Sequence, residues 1–167
     1  MASADPGTIA RHETAHLVAA HLLGWQAEAA ELRDGRGDCY FNPPVDLDAR
    51  KRELQRCVIL LAASEFTRDS GWLDDRLTVY RIVRALAESP EDREWLDAKA
   101  RYEAVQLVAE PAFQRAVYRM AEVLEATGSL DPDELRVLLR DDPPAFPPVS
   151  EWLYEDIETW ERALARA

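Results

Sequence analysis

Two histidines and a glutamate stand in the order His12-Glu13-Thr14-Ala15-His16, an HExxH pattern, within residues 8–23, where neither Pro nor Gly occurs and Ala and Leu dominate. Such a stretch predicts a helix, and Gly24 is a natural stop for it. On a helix, residues four apart differ by about 40° around the axis, so His12 and His16 project from one side and can reach one ion. Imidazole nitrogen suits Zn2+, which takes tetrahedral ligand sets and, in catalytic sites, leaves one position for water. Glu13 lies about 100° from His12, beside the ion, where its carboxylate can take a proton from water acidified by the metal and pass it to a leaving amine. Ile9, Ala19, Ala20 and Leu23 share the face of the two histidines and give the site apolar walls. The same residues could instead be a histidine pair hydrogen-bonded in a core, but the intact glutamate between them favours hydrolytic chemistry.

A catalytic zinc site needs a third protein ligand. His21 lies roughly 180° from His12 on the helical wheel and cannot share its ion. The chain holds three histidines in all, so the third ligand must be a carboxylate. Asp74 and Asp75 open a predicted helix on which Asp75 aligns with Val79, Ile82 and Leu86, whereas Asp74 falls with Thr78 and Arg81. Asp75 is the expected ligand. Asp74, Glu65 and Asp69 are the alternatives, and both aspartates could simply favour the helix start.

The elements that must position these groups are mostly helical. Residues 46–68, 74–88, 90–108, 112–127 and 132–140 read as helices. Ser89-Pro90 and Asp131-Pro132-Asp133-Glu134 supply cap and first-turn signals, and Gly128 supplies a stop. Between the first two helices, Gly35-Arg36-Gly37 separates residues 27–33 from residues 38–42, where Tyr40 and Phe41 favour a β conformation. The fold class expected is therefore mainly α (α+β), with a small β-hairpin or edge strand beside the motif helix. An extended peptide could add to that strand, with Tyr40 and Phe41 as substrate contacts. Replacing Tyr40 with Pro is then expected to impair cleavage without loss of zinc.

Residues 1–140 are expected to form the domain, residues 141–150 a stiff linker with four prolines, and residues 151–167 an amphipathic helix with Leu153, Ile157, Trp160 and Leu164 on one face. That helix would dock on its own domain or bind a partner protein.

The whole chain narrows the function further. Its 167 residues suit one domain with an appendage. A net charge of −12 without a basic stripe argues against nucleic acid, and no apolar run approaches a membrane span. Cys39 and Cys57 form no metal or disulfide pattern. The start lacks the basic and apolar regions of a secretory signal, so a cytoplasmic protein is expected.

Residues 9–24, Ile-Ala-Arg-His-Glu-Thr-Ala-His-Leu-Val-Ala-Ala-His-Leu-Leu-Gly, resemble the motif helix of the peptidase domain of FtsH-type ATP-dependent zinc metalloproteases. Ser70-Gly71-Trp72-Leu73-Asp74-Asp75 is similar to that family's Thr-Gly-x-x-Asn-Asp segment, whose final Asp ligates zinc, and this implies Asp75 as the ligand. The resemblance extends over residues 8–140, ending in a segment similar to Gly128-Ser129-Leu130-Asp131-Pro132-Asp133-Glu134-Leu135. Ala15 replaces the Gly usual before the second histidine, and Leu60-Leu61-Ala62-Ala63-Ser64-Glu65-Phe66-Thr67 lacks the glycine and paired acids of the corresponding family segment. There is no Gly-x-x-x-x-Gly-Lys-Ser/Thr phosphate loop. The expectation is an ATP-independent zinc endopeptidase acting on a protein or peptide substrate. Its rival is a non-enzymatic, metal-stabilised module that binds a partner through the C-terminal helix.

Overall fold

Asp5 caps the first helix, its carboxylate accepting the Thr8 N–H at 3.2 Å, and Pro6 occupies the first turn, where a missing N–H costs nothing. In the computed structural model, which describes residues 5–68 and 73–140, this helix is α1 (Pro6–Leu22). It is buried on nearly every side from Ile9 to Ala20. Ala10, Ala15, Ala19 and Ala20 are fully enclosed, and small side chains at those positions let neighbouring backbones approach closely. An Ala-rich helix is thus the centre of the molecule, packed by α2 (Ala49–Thr67) and α5 (Pro111–Thr127) and covered by the sheet.

The sheet comprises β1 (Gln26–Arg33), β2 (Arg36–Asn42) and β3 (Ser129–Leu130) in the order β2-β1-β3, all antiparallel. The turn between β1 and β2 is Asp34-Gly35, with positive φ at both residues (51° and 74°), the two-residue turn whose twist matches a hairpin. This corrects the expectation that Gly35-Arg36-Gly37 separates the strands: β2 already begins at Arg36, and Gly37 lies inside it opposite Leu32. Glu28 is an extra residue in β1, forming a bulge opposite Tyr40. β3, which was not anticipated, follows the left-handed Gly128 and pairs Leu130 with Ala30.

The remaining helices are α3 (Leu73–Leu86), α4 (Pro90–Ala109) and α6 (Pro132–Arg140). Their caps follow the residues that announced them. Ser89 accepts the Asp92 N–H at 3.1 Å. Asp131 accepts the Glu134 N–H at 2.9 Å while Glu134 reaches back to the Asp131 N–H at 2.9 Å, a reciprocal capping box. The second helix starts three residues later than expected, because the Asp48 side chain caps it by accepting from the Arg50 and Lys51 N–H groups. The architecture is mainly helical with a small three-stranded antiparallel sheet, in line with the fold class read from the sequence. The proposed linker and C-terminal helix lie outside the described residues, as does Asp69. Among the described residues, no helix is long and apolar enough to cross a membrane.

Candidate metal centre

α1 carries His12, Glu13 and His16 in its buried middle, where they are 2%, 6% and 4% exposed. Three ionisable side chains in so dry a place are costly unless each has a partner. The partner arrives from the first turn of α3: Asp75 Oδ2 lies 2.9 Å from His12 Nε2 and 3.3 Å from His16 Nε2, and the two Nε2 atoms are 3.1 Å apart. On α3 the fully buried residues are Val79 and Val83, with Ile82 and Leu86 half-buried, so the inner face is turned slightly from the one expected but still includes Asp75.

The outer ring nitrogens decide what the inner ones present. His16 Nδ1 stands 3.2 Å from the Ile59 carbonyl, which can only accept, so the proton sits on Nδ1. Thr67 gives its hydroxyl proton to the Ala63 carbonyl at 2.9 Å, leaving its oxygen to accept from His12 Nδ1 at 3.4 Å. With both rings neutral, the two Nε2 lone pairs would therefore face a carboxylate oxygen. Such a triangle is held together by a cation among its atoms, either a proton on one Nε2 or a metal ion. Its edges of 2.9, 3.1 and 3.3 Å are on the scale of the ligand–ligand edge of a zinc tetrahedron, about 3.3 Å for bonds of about 2.0 Å. The donor set of two imidazoles and one carboxylate, with tautomers held from outside, fits a zinc ion.

Without a metal, a proton shared with Asp75 takes the cation's place. Burial pulls His12 down to about 4, with Asp75 opposing, so its ring is neutral at physiological pH. Burial also works against a charged His16, but Asp75 and Glu13 outweigh it and raise that ring above its usual value. For Asp75, burial favours the neutral acid, yet the hydrogen bonds from His12 and His16 prevail and hold the carboxyl well below the usual carboxylate range.

Glu13 lies outside that triangle. Burial raises its carboxyl above the usual range, while His16 and a hydrogen bond from Cys39 partly offset the rise. Its place is set by Gly37, where a Cβ would sit 2.4 Å from Glu13 Cγ, 2.7 Å from Ile9 Cγ2 and 2.8 Å from Glu13 Oε1. β2 thus passes so close over α1 that only a glycine fits. Gly37→Ala is expected to push the Glu13 side chain or the β2 backbone aside. A crystal structure of the variant checks this expectation.

Burial alternates along β2, with Gly37, Cys39 and Phe41 turned inward and Asp38, Tyr40 and Asn42 outward. Phe41 packs 6.5 Å from the His16 ring and 5.7 Å from Trp25, whereas Tyr40 is 54% exposed. Both line a cleft of about 800 Å³ that has His12, Glu13, His16 and Asp75 in its wall. Asp74 is exposed on the rim, and Glu65 and His21 belong to no metal-holding group among the described residues. From the sequence Cys39 reads as a thiol in no metal pattern and Gly37 as part of a turn, and Thr67 is not singled out; in the structure Cys39 forms with Glu13 and His16 a second group that could hold an ion. A glycine within a strand is itself a signal of close backbone approach, hidden here by the misplaced turn.

No protein-family model matches the chain, and no curated protein sequence matches it.

Proposed function

We propose that the chain is an ATP-independent zinc endopeptidase in which His12, His16 and Asp75 hold the metal and Glu13 moves the proton. The observation that carries this reading is the joint arrangement: three acceptor atoms within 3.3 Å of one another, a buried glutamate beside them, and a cleft edged by a strand. The resemblance to the FtsH-type peptidase domain, including Asp75 as third ligand, is part of the proposal.

Zinc supplies Lewis acidity, which acidifies water and polarises a peptide carbonyl. The chain supplies the rest. Glu13, held under Gly37 and hydrogen-bonded by Cys39, has a carboxyl raised towards the range of an effective base; it takes the proton of the attacking water and returns it to the departing amine. The Ile59 carbonyl and Thr67 hydroxyl keep His12 and His16 in ligating tautomers. The apolar contacts of Phe41 and Trp25 help exclude water from the wall behind His16.

β2 is the edge strand of the sheet, and its outer edge is where we place the peptide. In a two-residue hairpin the pair bracketing the turn is hydrogen-bonded and the pattern then alternates. Arg33/Arg36, Glu31/Asp38 and Ala29/Tyr40 are thus the bonded pairs, so the backbone groups of Gly37, Cys39 and Phe41 face outward. The Tyr40 N–H is turned towards β1. Proline at Tyr40 would therefore unpair the hairpin and is a poor probe of peptide binding. Methylating alternate peptide nitrogens of a substrate is the better one. Methylation at the nitrogens that meet β2 is expected to lower kcat/KM by about tenfold per lost hydrogen bond, and methylation at the intervening nitrogens to have little effect.

The function itself is tested by incubating the zinc-loaded chain with a reduced, unfolded protein and identifying new termini by mass spectrometry. Internal cleavages are expected. Their absence under zinc saturation would leave a metal-stabilised binding module as the better account. The unpaired thiols of Cys39 and Cys57 suit a reducing compartment, and the cytoplasm is the proposed location.

A further inference from the structure

The cleft is not electrically uniform, and its polarity follows from how the helices run. His16 meets Ile59 on α2 while His12 meets Thr67, so α2 runs antiparallel to α1. Residues earlier on α2 therefore lie beyond His16, on the Phe41 side of the metal site. There Arg52, Arg56 and Leu60, spaced four apart and so on one face of the helix, line the cleft. Arg52 and Arg56 are the basic residues among its lining, and Glu53 lines it between them. Their side chains are 42% and 48% exposed, and both lean on a single carboxylate, Glu53, at 3.7 and 3.8 Å. Contacts that long between exposed groups are weak, and two guanidinium groups carry ten N–H donors by ordinary chemistry, far more than one carboxylate can occupy. Trp25, Phe41 and Leu60 give the same end apolar surface on which a side-chain stem can lie. On the His12 side the charge has the opposite sign, with Asp38 close enough to Glu13 to act on it and Asp74 beside Asp75.

We propose that Arg52 and Arg56 form a specificity subsite that selects an acidic side chain, Asp or Glu, on the Phe41 side of the scissile bond. This rests on the peptidase reading and adds the substrate class to it. The planar guanidinium fork pairs with a carboxylate in a way an ammonium or amide cannot. The methylene groups of a glutamate would rest on Phe41 and Leu60. A lysine in that position would meet two like charges. The net charge of −12 repels acidic peptides as a whole, so discrimination must come from where the acidic residue sits and not from peptide charge.

The test uses two peptides of identical composition, one Glu and one Lys flanking the same apolar core, with the positions of the two charges exchanged. Their net charge is equal, which removes long-range attraction from the comparison. Binding is measured by fluorescence anisotropy on the zinc-loaded Glu13→Gln chain, and kcat/KM on the wild type. One peptide is expected to be favoured by about tenfold in both measurements, and which one it is reports the direction in which the peptide runs along β2. The double variant Arg52→Glu/Arg56→Glu, with its zinc content verified, is expected to reverse the order. Equal binding of the two peptides, or a preference that survives the double reversal, overturns the subsite. Selective binding without cleavage by the wild type supports the subsite and refutes the peptidase reading, whereas cleavage without selectivity refutes the subsite and supports that reading.

Discussion

Asp75→Ala is expected to lower zinc affinity at least about 100-fold, more than is lost when only an outer partner of a ligand is removed. The expectation follows from the arrangement of charge. Two imidazoles alone offer the ion no anion, and Asp75 Oδ2 stands within 3.3 Å of both Nε2 atoms. Its low pKa, kept down by the histidines against the cost of burial, means the carboxylate is ionised and available across the physiological range. Asp74→Ala, one residue away on the exposed rim, is expected to change affinity by no more than about twofold, because an exposed charge is screened by solvent. Competition against a chromophoric chelator measures both. Equal affinities for wild type and Asp75→Ala, or a loss at Asp74 instead, would rule out Asp75 as the ligand.

Glu13→Gln is expected to keep zinc affinity within a few-fold of wild type and to lower kcat by about three orders of magnitude, the typical contribution of a positioned general base. Gln has the shape of Glu and fits under Gly37, so the cleft, the strand and the ligand triangle stay in place. It still has an oxygen to accept the Cys39 thiol proton. What it lacks is a site that takes a proton from water. The loss should therefore fall on kcat with KM little changed. A kcat within tenfold of wild type would mean that another group moves the proton, and the assignment of Glu13 would fail.

The parts of the site that were legible in the sequence are those written in short-range periodicity. His12 and His16 lie four apart on one helix, and their shared direction follows from helical geometry alone. Asp75 was reachable because its own helix places it near the inner face. The groups that hold these residues in place were not legible, since each is brought in from a distant part of the chain. Thr67 and Ile59 meet their histidines across 55 and 43 positions. Cys39 and Gly37 reach Glu13 only once the hairpin register is known, and the register depends on which residues make the turn. Asp-Gly is a strong hairpin signal. Reading the turn one residue late hid Gly37 inside a loop, and with it the reason a glycine is required there. The short β3 carried too little pattern to be seen: two residues paired with β1 only because α5 ends at Gly128 and turns the chain back.

The fold has its own lesson in α1. A helix buried all round has no polar face to mark its orientation, so composition, not amphipathicity, identified it. Its alanines give the close packing, and its few polar residues are where the chemistry is placed. Thr14, fully buried, donates its hydroxyl to the Ala10 carbonyl at 2.8 Å and so is satisfied within the helix. His12, Glu13 and His16 have no such local solution and turn to α2, α3 and β2.

The central claim, that the triangle of His12, His16 and Asp75 binds zinc and that hydrolysis depends on it, is tested most directly by metal analysis of the purified chain beside a cleavage assay on an unfolded protein, before and after chelation and after zinc is restored. One zinc per chain is expected, with cleavage abolished by the chelator and recovered on stoichiometric zinc addition. A chain that binds no zinc at micromolar concentration, or whose cleavage is indifferent to its removal, would contradict the account.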